Sequence, residues 1–464
     1  MTGRPAASGP ATPPLGGPVA FWCERAWLPA GVADRVLVRV GPAGTVAEVT
    51  PGVDPPPGAE RLAGLVFPGF ANGHSHAFHR ALRGRTHAGG GTFWTWREAM
   101  YQLAHRLDPD GYHRLARLVY AEMALAGYVV VGEFHYLHHP PGGGRYGDPN
   151  AMGAALLAAA ADAGIRITLL DACYLSGGLD RTGYLPLSAG QRRFADGDVA
   201  AWADRVAALA ASVPAGGASA RVGAAVHSVR AVPAEALPAV AAVTGGVPRH
   251  VHLSEQPGEN EACLAVHGRT PTDLLDGAGL LGPDTTAVHA THLTARDIAV
   301  LGTSGTAVCL CPSTEADLAD GLGPARELAD AGSPVSLGSD QHALVDPFAE
   351  VRGLEYGERL RTGRRGRFGP VELVAAATEH GHRALGWPTG GRIEVGAPAD
   401  LVAVRPDTPR TAGAAPEQLA LAAGAADVDT VVVGGRVVVA GGRHRTLDPV
   451  GPALHREISR LWTG

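Results

Sequence analysis

Between about residues 64 and 342, short apolar runs alternate with longer stretches of helical character. The runs are LAGLVFPGF, YVVVGEFHY, IRITLLDACY, SARVGAAVHS, RHVHLSEQ, TTAVHATHL, TAVCLCPST and SPVSLGSDQH. Stretches such as PNAMGAALLAAAADAG, DVAAWADRVAALAASV and ARELADAG lie between them. Regular alternation of this kind predicts parallel strands joined by crossover helices. Eight strands in this span fit an α/β fold, a (β/α)8 TIM-like barrel, which takes ~250 residues and more with insertions. A doubly wound sheet is the other arrangement the pattern allows. No Gly-rich dinucleotide fingerprint follows the first strand, which counts against it.

The two ends of the chain carry a different pattern. VLVRVGPAG and TVAEVTPG near the start, and RIEVGAPADLVAVRPD and VDTVVVGGRVVVAGGR near the end, are short β-rich runs separated by turn residues. Residues 18–66 and 389–450 are therefore expected to form one small β-sandwich domain built from both termini. A barrel over residues 67–388 would stand between them. Residues 1–17, rich in Pro, Gly and Ala, lack the apolar core of a signal peptide and read as a disordered lead-in.

Barrels of this kind carry their chemistry at the C-terminal ends of the strands. Polar candidates fall there in succession. His74 and His76 follow strand one; Glu133, His135 and Tyr136 end strand two; His227 and Arg230 end strand four. His252 and Glu255 belong to strand five, His289 and His292 to strand six, and Asp340 to strand eight.

Side chains two apart on an extended segment point the same way, so His74 and His76 can reach one ion. With 20 histidines in the chain, such a pair alone is weak evidence. His252 in VHLSE and Asp340 in LGSD strengthen it, because three imidazoles and one carboxylate bind a divalent transition metal and leave room for water. Asp340 reads as a ligand or as the acceptor of the water proton, with a turn or cap aspartate as the alternative. Glu255, three residues beyond His252, is placed to shuttle a proton or to cap the next helix. His289 is either an ordinary core histidine or a group that polarises the substrate.

Composition narrows the partners. Net charge is -6 without a basic block, so nucleic acid is not expected. No apolar run reaches the ~18 residues of a membrane span. The five cysteines include no CxxC, and reduced thiols in a cytoplasmic protein are the simplest reading. All 39 basic residues are arginine. The absence of lysine excludes a P-loop lysine, a Schiff-base lysine and a carboxylated-lysine metal bridge.

From LVFPGFANGHSH to GAPADLVAVRPD, the chain resembles the amidohydrolase superfamily in its mononuclear deaminase branch. The resemblance implies one Zn held by His74, His76, His252 and Asp340, with Glu255, His289 and Asp340 as catalytic groups. Fe, Ni or Co would suit the same ligands. A homodimer is implied as well. The words FWTWREAMY, GEFHYLHH, HSVRAVP, HLSEQ and HATHL in combination look like the N-formimino-L-glutamate deiminase family of bacterial histidine degradation. That resemblance implies that Arg97, Tyr136, His227 and Arg230 contact a small dicarboxylate, for which planar guanidinium forks are well shaped. Trp94 and Trp96 flank Arg97.

Hydrolysis of a formimino group to a formyl group and ammonia is the expected reaction. A deaminase of a purine, pterin or other heterocycle is the rival, and would favour aromatic stacking over paired arginines. A metal-free scaffold is a more distant rival and would have lost ligands. Two positions depart from the family. His79 stands where relatives carry a substrate-contacting Gln, and Gln341 interrupts the usual GSDSH.

Overall fold

The computed structural model describes residues 19–87, 91–214 and 216–463, the side chains of Phe93 and Trp94 excepted. The expected disordered segment 1–17 and the Trp94 side chain lie outside the described residues. Eight parallel strands form the central sheet: β1 Phe70–Ser75, β2 Tyr128–His135, β3 Arg166–Cys173, β4 Ala220–Val226, β5 Arg249–Leu253, β6 Thr285–His289, β7 Ala307–Leu310 and β8 Val335–Leu337. They follow one another in sequence order around the sheet. Seven of the eight apolar runs each hold one of these strands; the first gives only Phe70 to β1, its residues 62–68 lying in a strand of the second sheet. Burial on both faces explains why these segments show no polar alternation.

The ring closes where β1 meets the chain just after β8. A parallel bridge joins Ser75 to Asp340, and the His74 carbonyl accepts from the Ser339 and Asp340 amides at 3.1 and 2.9 Å. Gly338 permits this approach, since a Cβ there would lie 2.8 Å from the His74 amide nitrogen.

Helices cover the outside, and their ends are written locally. Pro109–Ala126 starts with Asp108, whose side chain accepts from the Gly111 amide, and stops at Gly127 with φ 100°. Ala151–Ala163 and Val199–Ser212 occupy the stretches read as helical.

Strands from both termini build a second sheet, mixed and eight-stranded. Its centre pairs Glu60–Pro68 in parallel with Val19–Leu28 and antiparallel with Leu401–Val404. The expected sandwich takes the form of this one sheet folded so that Val46, at the start of its edge strand, hydrogen-bonds to Ala397, just before the central Leu401–Val404. Alternation along its strands divides two cores. Leu65 and Phe67 face the barrel, while Leu62 and Val66 enter the sheet's own core with Phe21 and Leu401. The first apolar run is therefore shared, its early part in this sheet and its later part in β1. Gly69 marks the handover, where a Cβ would come 2.4 Å from Val129 and 2.9 Å from the Asp400 Cβ. No helix among the described residues is long and apolar enough to cross a membrane.

Candidate metal centre and active-site cavity

The C-terminal ends of β1 and β5 and the turn after β8 bring four side chains to one point. His74 Nε2 lies 3.2 Å from His76 Nε2, 3.1 Å from His252 Nε2 and 3.4 Å from Asp340 Oδ1. His76 Nε2 lies 3.3 Å from Asp340 Oδ1. All four side chains are buried.

The protonation of this group follows from its surroundings. His76 Nδ1 sits 2.9 Å from the Phe134 carbonyl and His252 Nδ1 2.8 Å from the His227 carbonyl. A carbonyl only accepts, so both rings carry their proton on Nδ1 and turn an Nε2 lone pair inward. Burial holds all three imidazoles in the neutral form, lowering His74 to about 3 despite the pull of Asp340. For Asp340, burial acts upward, but the His74 hydrogen bond and the neighbouring imidazoles hold it well below the carboxylate range.

Inward lone pairs and a carboxylate at such spacing repel one another unless a cation stands between them. Tetrahedral bonds of ~2.0–2.1 Å set ligand atoms about 3.3 Å apart, which the observed spacings match. The donor set therefore fits a divalent metal ion.

Beside this cluster, His289 Nε2 lies 3.7 Å from Glu255 Oε1 and 3.9 Å from Asp340 Oδ2, while Nδ1 faces Glu315 Oε1 at 3.5 Å. Burial opposes its protonation, yet the three carboxylates prevail and raise it to about 10. Strained backbone accompanies these groups. Ser254, His289 and Asp340 have φ of 51°, 68° and 41°, a region that residues other than glycine rarely occupy. Glu255 does not cap a helix: the next one, Pro257–His267, is preceded by Gln256.

A cavity of about 360 Å³ opens onto the cluster and is lined by His76, His79, Arg97, Tyr136, His227, Arg230, His252, Glu255, His289 and Asp340. Of the residues expected as metal ligands, catalytic groups or substrate contacts, all but His74 border this one space. Arg97 rests against the Tyr101 ring and donates to the Tyr101 hydroxyl at 2.5 Å. His79 Nε2 pairs with the Tyr136 hydroxyl at 2.8 Å, and burial keeps its ring neutral. His227 packs edge-on against Tyr174 and Tyr136. Arg230 already holds two carboxylates, Glu255 at 3.1 Å and Glu259 at 3.1 Å.

Other strand-end residues point elsewhere. His135 turns away from the cavity into a cluster with His138 and Asp171. His292 hydrogen-bonds to the Asp320 carbonyl at 2.7 Å, and Gln341 donates to Asp317 at 2.8 Å. Sequence reasoning passed over Glu315, Glu259 and Tyr174. Glu315 stands just beyond β7, so the strand-end rule would have found it; Glu259 is one helical turn beyond Glu255.

Residues 65–438 match the model of the amidohydrolase family. Formimidoylglutamate deiminase of Pseudomonas aeruginosa is 39% identical over 440 residues, covering 92% of this chain and 95% of that protein. 8-Oxoguanine deaminase of Pseudomonas aeruginosa is 32% identical over 396 residues, covering 83% and 84%. An amidohydrolase from Brucella melitensis superposes with a TM-score of 0.88 at 32% identity, over 96% of this chain and 100% of the other. An adenosine deaminase from Xanthomonas campestris with bound zinc shares the fold at a TM-score of 0.81 and 22% identity, over 96% and 99%. The barrel, its buried His and Asp cluster and these matches agree, and the chain belongs to the amidohydrolase family of hydrolases acting on carbon–nitrogen bonds.

Proposed function

We propose that this protein hydrolyses N-formimino-L-glutamate to N-formyl-L-glutamate and ammonia, with one zinc ion held by His74, His76, His252 and Asp340. The carrying observation is the cavity itself, in which the four-ligand cluster shares one space with two guanidinium groups, Arg97 and Arg230. The similarity to a formimidoylglutamate deiminase over most of both chains supports the same substrate.

A bound divalent ion would lower the pKa of water toward neutrality and supply the nucleophile. The protein's own groups do the rest. Glu255 stands between Arg230 and His289, where it can accept a proton from water and return it to the departing nitrogen. His289, surrounded by carboxylates, is a hydrogen-bond donor for charge developing at the formimino carbon. Arg97 and Arg230 orient the substrate carboxylates, and Tyr136 and His227 fill the wall behind them. Arg230 serves this role by sharing its fork with Glu255 and Glu259, which also aims it.

A second reading has an observation in its favour. Trp96, Tyr101, Tyr136, Tyr174 and Phe194 also line the cavity, a surface on which a heterocycle could stack. Ammonia release measured with N-formimino-L-glutamate, 8-oxoguanine and an adenosine derivative separates the two. Release from the first alone is expected; release from a heterocycle alone would refute the formimino assignment.

A further inference from the structure

The barrel seam carries polar side chains that the proposed chemistry does not use. Ser75 lies between two of the cluster histidines, and Ser339 directly precedes Asp340. Asn72, Ser75, Glu133, Ser339 and His342 are all 0% exposed. They form one continuous series of contacts across the seam. Asn72 Nδ2 donates to Ser339 Oγ at 2.7 Å, and Ser339 Oγ meets His342 Nδ1 at 3.3 Å. His342 Nε2 meets Ser75 Oγ at 3.1 Å, and Ser75 Oγ donates to Glu133 Oε2 at 2.7 Å.

Both ends of this series are fixed by the backbone. The Ser339 amide donates to Asn72 Oδ1 at 2.9 Å, which turns the Asn72 amino group toward Ser339 Oγ. At the other end, the Ala77 amide donates to Glu133 Oε1 at 2.7 Å. The direction of every link follows. Ser75 spends its proton on Glu133, so toward His342 it can only accept, and His342 must carry its proton on Nε2. His342 Nδ1 is then a lone pair, and Ser339 donates to it while accepting from Asn72. A proton placed on Glu133 and given to Ser75 would reverse the series. Ser339 would then receive two donors and have no acceptor for its own hydrogen among the described residues. The direction in which Ser75 donates to Glu133 gives every member of the series a partner.

We infer that the Asn72–Ser339–His342–Ser75–Glu133 chain is a positioning device that locks the His74–His76 strand end to the Asp340 turn and slows loss of a metal ion from the site. Outer hydrogen bonds that orient metal ligands are worth roughly 10–100-fold in metal affinity. Between β1 and the chain after β8 the backbone contacts are few, the Ser75–Asp340 bridge with hydrogen bonds from Ser339 and Asp340 to the His74 carbonyl and from His76 to the Asp340 carbonyl, so side chains add to the closure. The inference rests on the reading of His74, His76, His252 and Asp340 as metal ligands.

The test measures the rate at which a chelator strips zinc from the loaded protein, with metal counted by elemental analysis. Ser75→Ala and His342→Phe are expected to lose zinc about tenfold to a hundredfold faster than the parent. Glu133→Gln is the sharper variant. It keeps the volume and the Ala77 contact but presents an amino group to Ser75, which reverses the chain, so it too should lose zinc at least about tenfold faster. A space-filling role would leave this isostere at the parental rate, and that result in folded protein would overturn the inference. Should Glu133→Gln fail to fold, neutron diffraction on the parent decides: deuterium on His342 Nε2 supports the chain, and deuterium on Nδ1 overturns it. A parent that binds no zinc would instead sink the functional reading.

Discussion

Two buried groups of histidine and aspartate lie on opposite sides of the barrel wall, and only one has the character of a metal site. In the first, His74, His76, His252 and Asp340 converge with lone pairs inward and no cationic side chain between them. In the second, His135, His138 and Asp171 also bring ligand atoms within 4.8 Å of one another. There, Arg205 grips Asp171 with two bonds of 2.7 and 2.8 Å, Trp202 adds a third at 3.1 Å, and Asp196 takes the other side of the guanidinium. His138 Nε2 is spent on the Ala172 carbonyl at 3.0 Å. In the second cluster a guanidinium grips the aspartate directly; in the first, the nearest cationic group, His289, reaches only the outer oxygen of Asp340 at 3.9 Å and leaves the converging Nε2 atoms and Oδ1 without one. Proximity of ligand-type residues says little until each donor and acceptor has been assigned.

The largest effect that separates the two clusters concerns turnover. Asp340→Asn removes the carboxylate that the proposal places on the metal ion, beside the attacking water, and should cut kcat by roughly 10²–10⁴-fold. Asp171→Asn should leave the kcat of folded protein near the parental value. Steady-state ammonia release at saturating substrate checks both, and normal turnover by zinc-loaded Asp340→Asn would show the mechanism to be wrong.

Stability should respond in the opposite sense. Arg205→Met leaves Asp171 and Asp196 without their partner, and breaking a buried pair costs about 3–5 kcal/mol. Denaturant unfolding of the metal-free protein should show this loss. His252→Ala should cost less there, because it relieves repulsion among the inward lone pairs.

Removing a clamp should be milder than removing a ligand. Arg97→Ala forfeits a charge-assisted hydrogen bond worth about 1.5–3 kcal/mol, so KM should rise by about tenfold or more with kcat less affected. Equal losses in kcat with an unchanged KM would place Arg97 outside substrate binding.

The smallest effect is the response to acid. Burial lowers His74 to about 3 and His138 to about 4, against ~6.5 in an unfolded chain. Between those values the unfolded state binds more protons, so stability falls as pH drops below about 6.5. Asp171 is also depressed, because the Arg205 charge outweighs burial, and its contribution persists until pH falls below about 4. The Tm of metal-free protein should therefore decline between pH 7 and pH 5 before Asp171 contributes to the loss. A flat profile would contradict neutral buried histidines.

Much of this contrast was legible in the sequence, and the part that was not has a physical reason. Seven of the eight apolar runs hold barrel strands, buried on both faces, while the first lies mostly in the second sheet because the chain passes directly from one to the other at Gly69. His74 and His76 stand two apart and share a direction, as strand geometry requires. The same parity rule, applied to GEFHY, would have separated its residues. Phe134 packs against the His74 and His252 rings inside the barrel, and Tyr136 follows it into the cavity. Glu133 and His135 alternate outward, toward Ser75 and Tyr112 respectively. Sequence could not show that Arg230 is shared with Glu255 and Glu259, since that depends on a side-chain contact between β4 and β5. Nor could it join Asn72 to Ser339 across 267 positions, a contact that exists only once the barrel closes.

Metal counting tests the contrast most directly. Purified protein dialysed against trace zinc should retain one ion per chain by elemental analysis. His252→Ala should retain almost none, and His138→Ala should retain the full equivalent. Two ions in the parent, or a full equivalent in His252→Ala, would contradict the assignment of the two clusters.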